Sequence, residues 1–254
     1  MNKETMYGYP ISSIFFQIGI MILLLLVLFF TFLANSFIGM GLVLFVMIMF
    51  WYVFIYNFKK RFSHIRKIVL QQMKNCAQLT GFEHVLDLGT GAGYIAVEIS
   101  KMLNGGKVVG VDKYDQQTSV LGSGFFEELK INFFGNTLNQ ARKNAVIEHQ
   151  KDSITFVKSD LKKHFPFSDN AFDIIFSSQF LYCIPAKKID MVLYEINRVL
   201  KPGGKLVFFE SKKVIQWDIS HVRNFYTNLD YETRILSVNN LTNKCIFSAQ
   251  KPKE

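Results

Sequence analysis

The segment Val85-Leu86-Asp87-Leu88-Gly89-Thr90-Gly91-Ala92-Gly93 constrains the fold of this chain more than any other. A short apolar run ends in an acid and three alternating glycines, and a helix-patterned segment opens at Tyr94. Glycine lets a backbone turn sharply and approach a bound ligand closely. A helix that opens there aims free amide N–H groups into the turn. The spacing is Gly-x-Gly-x-Gly, which differs from the Gly-x-Gly-x-x-Gly of dinucleotide sites. Asp87, at the strand tip, repels a pyrophosphate and attracts a cation. A nucleoside with a positively charged tail suits such a turn better than a dinucleotide does.

From this point strands and helices alternate, which predicts an α/β fold with a doubly wound sheet. Strands are expected at 84–88, 107–111, 154–158, 172–176 and 205–209. Pro185 suits the first position of a helix reaching Leu200. Lys201-Pro202-Gly203-Gly204 should turn that helix into the fifth strand, and segments 231–238 and 244–250 should close the sheet as an antiparallel hairpin. Open α/β sheets bind ligands beyond the carboxyl ends of their strands, and three acids fall there. Asp87 ends the first strand. Asp112, 19 residues beyond Gly93, ends the second, where a carboxylate can accept both ribose hydroxyls. Asp160 follows the third, placed to accept from an adenine amine, with the N–H of Leu161 offered to a ring nitrogen.

These segments, together with Val108-Val109-Gly110-Val111-Asp112, Phe156-Val157-Lys158-Ser159-Asp160, Pro166 to Ile175 and Glu195 to Leu206, resemble the class I S-adenosylmethionine-dependent methyltransferases. The resemblance covers most of 81–250 and is nearest in flavour to the ubiquinone/menaquinone-biosynthesis group. It implies a seven-stranded Rossmann-like sheet with S-adenosyl-L-methionine as cofactor. Asp87, Gly89, Thr90, Gly91 and Gly93 would hold its methionine part, Asp112 its ribose, and Asp160 with Leu161 its adenine. Ser177, at the fourth strand tip, would lie near the methyl. Where the family commonly needs few residues, this chain inserts 113–135, apolar and glycine-bearing, either a substrate lid or a surface excursion. The fourth strand continues as Ser178-Gln179-Phe180-Leu181, without the tetrad of amino-methylating DNA enzymes.

Ahead of this domain, Thr5 to Phe58 contains no Asp, Glu, Lys, Arg or His. About 20 apolar residues span a bilayer, so the run predicts a membrane hairpin over 1–57. Its spans are expected at about 11–33 and 37–56, broken at Ala34-Asn35-Ser36. A basic juxtamembrane helix, 58–80, with Lys59, Lys60, Arg61, Arg66, Lys67 and Lys74, places its side in the cytoplasm and attracts anionic headgroups. Trp51, Tyr52 and Tyr56 suit an interfacial belt. The net charge of +9 is partly gathered there, and no basic stripe interleaved with aromatics follows, so nucleic acid is not an expected partner. Cys76, Cys183 and Cys245 are too far apart for a metal or disulfide framework.

Methyl transfer from a sulfonium is largely positioning and desolvation. A hydroxyl acceptor also needs a base. Tyr94, Asp115, Tyr182, Glu210 and His221 are the candidates, and none is singled out. The expectation is a membrane-anchored enzyme, facing the cytoplasm, that methylates a small or amphiphilic acceptor such as a quinone precursor or lipid. Methylation of a membrane-associated protein, or a tethered interaction module without catalysis, are the alternatives.

Overall fold

The computed structural model describes residues 11–33, 37–114, 137–213, 218–238, 241 and 243–253. The chain divides into two compact units, one of them Tyr9–Ile68 and the other including Val69–Glu254.

The first unit is helical. Helix α1 runs Ile11–Leu33, and α2 runs Phe37–Ala77 without interruption. The expected second span and basic helix are therefore one helix, consistent with the lack of any glycine or proline between Leu42 and Ala77. Among the described residues no helix is long and apolar enough to cross a membrane. Apolar residues predominate in α1 and in the first half of α2. Within them Leu23, Phe30, Phe37, Ile38, Phe45 and Ile48 are exposed.

In the second unit, the end of α2 buries Val69, Leu70, Met73 and Ala77. Then follow β1 (His84–Leu88), α3 (Tyr94–Ser100), β2 (Lys107–Asp112), α4 (Leu138–Ile147), β3 (Ile154–Lys158) and β4 (Phe172–Ser178). A 3₁₀ turn, Leu181–Cys183, leads to α5 (Ala186–Val199), β5 (Leu200–Ser211), α6 (Ile219–Thr227), β6 (Glu232–Ser237) and β7 (Lys244–Gln250). Thr137 caps α4 by accepting from the Gln140 N–H at 3.0 Å, and Asp218 caps α6 through the N–H groups of Ser220 and His221.

The seven strands lie in the order β3-β2-β1-β4-β5-β7-β6. β1 to β5 are parallel, and β7 enters antiparallel between β5 and β6. This is the expected seven-stranded Rossmann-like sheet, hairpin included. The order reverses direction between β1 and β4, and right-handed crossovers then place α3 and α5 on opposite faces. α5 turns Ile189, Val192, Leu193, Ile196 and Val199 inward at helical spacing, against Leu86, Ile175, Leu206 and Phe208 of the sheet.

β5 is longer than expected. Phe172 pairs with Leu200, and pairing resumes at Ile174 with Lys205, so Lys201-Pro202-Gly203-Gly204 is bulged out of the strand. Gly203 holds a φ of 72°, and a Cβ at Gly204 would stand 2.7 Å from Leu200 Cδ1. The glycines that read as a connection instead let one strand fold over itself.

Candidate functional site

The register levels the strand tips. Leu88 pairs with Val111 on one side and Ser177 on the other, Asp112 with Lys158, and Ser177 with Phe208. The carboxyl ends of β3, β2, β1, β4 and β5 form one rim, with the reversal of strand order at its centre.

The turn after β1 is held from several sides. The N–H groups of Gly89 and Thr90 both donate to the Val111 carbonyl, at 2.9 and 3.1 Å. The Gly93 N–H donates to the Thr90 carbonyl at 2.8 Å, and Gly93, at φ 82°, caps α3 in the left-handed region. Two glycines are required by packing as well as by conformation. A Cβ on Gly89 (φ 69°) would fall 2.8 Å from Phe180, and one on Gly93 would fall 2.9 Å from the tip of Phe156. From behind, fully buried Asn144 of α4 donates its Nδ2–H to the Ala92 carbonyl at 2.9 Å.

The structure turns the Asp87 carboxylate into the protein. It is 2% exposed and accepts from Thr90 Oγ1 at 2.6 Å and from the Ala96 N–H at 3.1 Å. Burial pushes its pKa up to about 7, against the pull of those two hydrogen bonds and with a contribution from neighbouring Asp112. Asp87 thus braces the turn against α3.

Asp112 bridges the tip of β2 to the turn: its Oδ2 accepts from the Gly91 N–H at 2.9 Å. Burial raises its pKa, opposed by the amides of Gly91, Tyr114 and Lys113. Asp160 lies half-buried two residues past β3, with Oδ1 accepting from the Lys162 N–H at 3.0 Å in a local turn. Leu161 beside it is a core residue, 3% exposed. Ser177 is fully buried, and its Oγ has no hydrogen-bond partner among the described residues.

Two features were not anticipated. Tyr114, two residues beyond Asp112, is buried in the left-handed region at φ 46°, and its hydroxyl has no partner among the described residues. Burial and the charges of Asp112 and Asp87 hold that hydroxyl well above its usual pKa. Only a positive φ on a non-glycine residue marks the position, and a sequence does not display it. The other is the use made of Glu210. Its Oε1 accepts from the N–H groups of Phe180 and Leu181, both at 2.7 Å, and its Oε2 has no partner among the described residues. Burial pushes this carboxyl up to about 7.

The other candidate bases are scattered. Tyr94 opens α3, half-buried, and Tyr182 stands exposed in the turn after β4 with its pKa raised by burial. Adjacent Cys183 is exposed and its thiol is also pushed up. His221 Nε2 lies 2.6 Å from Asp190 Oδ1, in an exposed pair between α6 and α5. Imidazole and carboxylate at helix surfaces satisfy one another there. Asp115 and most of the insertion 113–135 lie outside the described residues.

The rim therefore offers a glycine turn, the carboxylate of Asp112, and buried polar atoms at Ser177 and Tyr114 without partners among the described residues. A buried polar atom without a partner is costly. A ligand carrying hydroxyls and amines suits such a rim.

Residues 86–208 match the family described as a methyltransferase domain. A ubiquinone/menaquinone biosynthesis C-methyltransferase of Haemophilus ducreyi is 31% identical over 153 residues, which is 60% of this chain and 51% of that protein. A demethylmenaquinone methyltransferase of Lactiplantibacillus plantarum is 29% identical, over 64% of this chain and 58% of its own length. A sterol 4-C-methyltransferase of Caenorhabditis elegans is 29% identical, over 58% and 37%. The chain spans only about half the length of the curated quinone-biosynthesis relatives it matches. Among solved structures, a methyltransferase from Aquifex aeolicus that depends on S-adenosylmethionine has a TM-score of 0.50 at 22% identity, covering 74% of this chain and 96% of that one. One from Mesorhizobium loti has a TM-score of 0.54 at 14% identity, covering 71% and 96%. At these identities the structural likeness concerns the fold.

Proposed function

We propose that this chain, whose residues 86–208 match a methyltransferase domain, is an S-adenosylmethionine-dependent methyltransferase that methylates a small amphiphilic acceptor of quinone or sterol kind at a membrane surface. The observation that carries the cofactor assignment is the bond from the Gly91 N–H to Asp112 Oδ2, 2.9 Å long. It places a carboxylate of β2 beside the glycine turn of β1, and β1 is the strand from which the order reverses towards β4.

When bound, the cofactor supplies an electrophilic methyl carbon on a sulfonium. The chain's own part is to hold, orient and keep dry. Asp112 presents acceptor oxygens for ribose hydroxyls, and Asp160 with Leu161 frames the adenine side. The turn from Gly89 to Gly93, kept in shape by Asp87 and Thr90, receives the methionine part. Ser177 Oγ and the Tyr114 hydroxyl offer further partners to polar groups in the rim. Burial around these residues strengthens each such contact.

The membrane part of the proposal is supported by the uncharged run Thr5 to Phe58 and by the exposed apolar side chains of α1 and α2. The basic residues after Phe58 support a cytoplasmic orientation. Relatives named for quinone and sterol methylation fit an acceptor that partitions into lipid.

Incubating the full chain with methyl-labelled cofactor and total membrane extract tests the acceptor. Label is expected in the organic-soluble quinone or sterol fraction. Label confined to protein would replace this reading with methylation of a membrane protein.

A further inference from the structure

Resting on the methyltransferase reading, we infer that Glu210 is a positioning residue. Its carboxylate holds the segment after β4 so that Phe180 seats against Gly89, and thereby sets the turn that receives the methyl donor.

The geometry begins at β5. Ser178 pairs with Phe209, so Glu210 lies one residue beyond the end of the β4 pairing, fully buried. Gln179, at φ 57°, turns the chain sharply as it leaves β4, and its N–H donates to the Phe209 carbonyl at 2.8 Å. After that turn the next two amides, of Phe180 and Leu181, both reach Glu210 Oε1 at 2.7 Å. Consecutive amides converging on one anion form a nest, and a buried carboxylate inside it is strongly held.

A second anchor ties the same segment to β7. Lys244 Nζ donates to Gln179 Oε1 and, at 2.7 Å, to Ser211 Oγ. β5 and β7 pair directly here, Glu210 opposite Cys245 and Ser211 opposite Lys244. The residues after β4 are therefore clamped by two neighbouring strands.

What the clamp positions is Phe180. A Cβ on Gly89 would stand 2.8 Å from both Cβ and Cδ2 of Phe180, so ring and turn are interlocked. Gly89 in turn is tied through its N–H to Val111, one residue before Asp112. The sequence Glu210, amides of 180 and 181, Phe180 ring, Gly89 is a continuous path from β5 to the cofactor turn. Glu210 transfers no proton along it and acts only through Phe180.

A double-mutant cycle on the full chain in detergent tests this, with S-adenosylmethionine affinity read by calorimetry and folding by circular dichroism. Glu210→Ala and Phe180→Ala should each weaken binding about tenfold, and the double variant no more than about tenfold, because both cut one path. Glu210→Gln keeps an oxygen able to accept the same two N–H groups and should bind within about threefold of wild type. Losses that multiply to about a hundredfold in the double variant would overturn the proposal, since independent sites add in free energy. So would a Glu210→Gln no better than Glu210→Ala, or a Glu210→Ala of unchanged affinity. Should Glu210→Ala not fold, Glu210→Asp, one methylene too short to reach both amides, takes its place. If wild type binds no cofactor, the methyltransferase reading fails, which is a result separate from these.

Discussion

Asp87 shows how one residue can serve the fold and limit its own charge. Burial raises its pKa to about 7 from an ordinary 3.8, so between those values the folded chain keeps a proton that the unfolded chain has lost. Its contribution to stability is full below the ordinary value, declines as pH rises through that window, and levels off above about 7. Asp87→Asn keeps the shape without the ionisation. Its melting midpoint relative to wild type should rise from about pH 4 to about pH 7 and then level off, as followed by circular dichroism. A difference independent of pH would mean that Asp87 ionises normally in the folded chain. Glu210, raised likewise to about 7, shares the sign. Its ordinary partners are amides, so an amide oxygen can replace it where a charge is not needed.

The elements carry the site by their mutual packing, and α4 does so through one side chain. Asn144 donates to the Ala92 carbonyl at 2.9 Å and accepts from Gln140 Nε2 at 2.8 Å. Asn144→Ala leaves a buried carbonyl unpaired and should cost about 1–3 kcal/mol in urea unfolding. It should also weaken cofactor binding, because the glycine turn loses its rear support. An unchanged midpoint would show that water or a shifted backbone replaces the amide. The sheet itself was legible, because apolar runs closed by Asp87 and Asp112 mark strand ends and the hairpin of β6 and β7 is local. Its interlocking was not legible. Phe180 against Gly89 and Phe156 against Gly93 join segments distant in sequence, and no local pattern announces such pairs. Lys201 to Gly204 read as a turn between elements because proline and glycine have that meaning locally, whereas the register of β4 makes them a bulge. The partner of His221 was not legible either, because Asp190 sits on another helix. Tyr114 gave no signal, since strain at φ 46° belongs to the folded backbone.

At the scale of the whole molecule, the segment that matches a methyltransferase domain follows a long uncharged apolar run. If the uncharged run lies in a bilayer, the chain should float with lipid vesicles and resist extraction by alkaline carbonate, whereas a chain lacking 1–57 should be released. Release of the full chain by carbonate would reduce the attachment to surface adsorption. The basic residues from Lys59 onward would then be its only anchor, and high salt should suffice to free it. Were the chain held at lipid in this way, it would meet hydrophobic acceptors at high local concentration. The claim on which all of this depends is that the rim formed by β2, β1 and β4 binds S-adenosylmethionine. Calorimetric titration of the full chain tests it most directly. Wild type should take up one equivalent, Asp112→Ala should bind at least about tenfold more weakly, the loss of one charge-assisted contact, and Gly91→Val should show no heat of binding. Variants that fold normally and keep wild-type affinity would contradict the account.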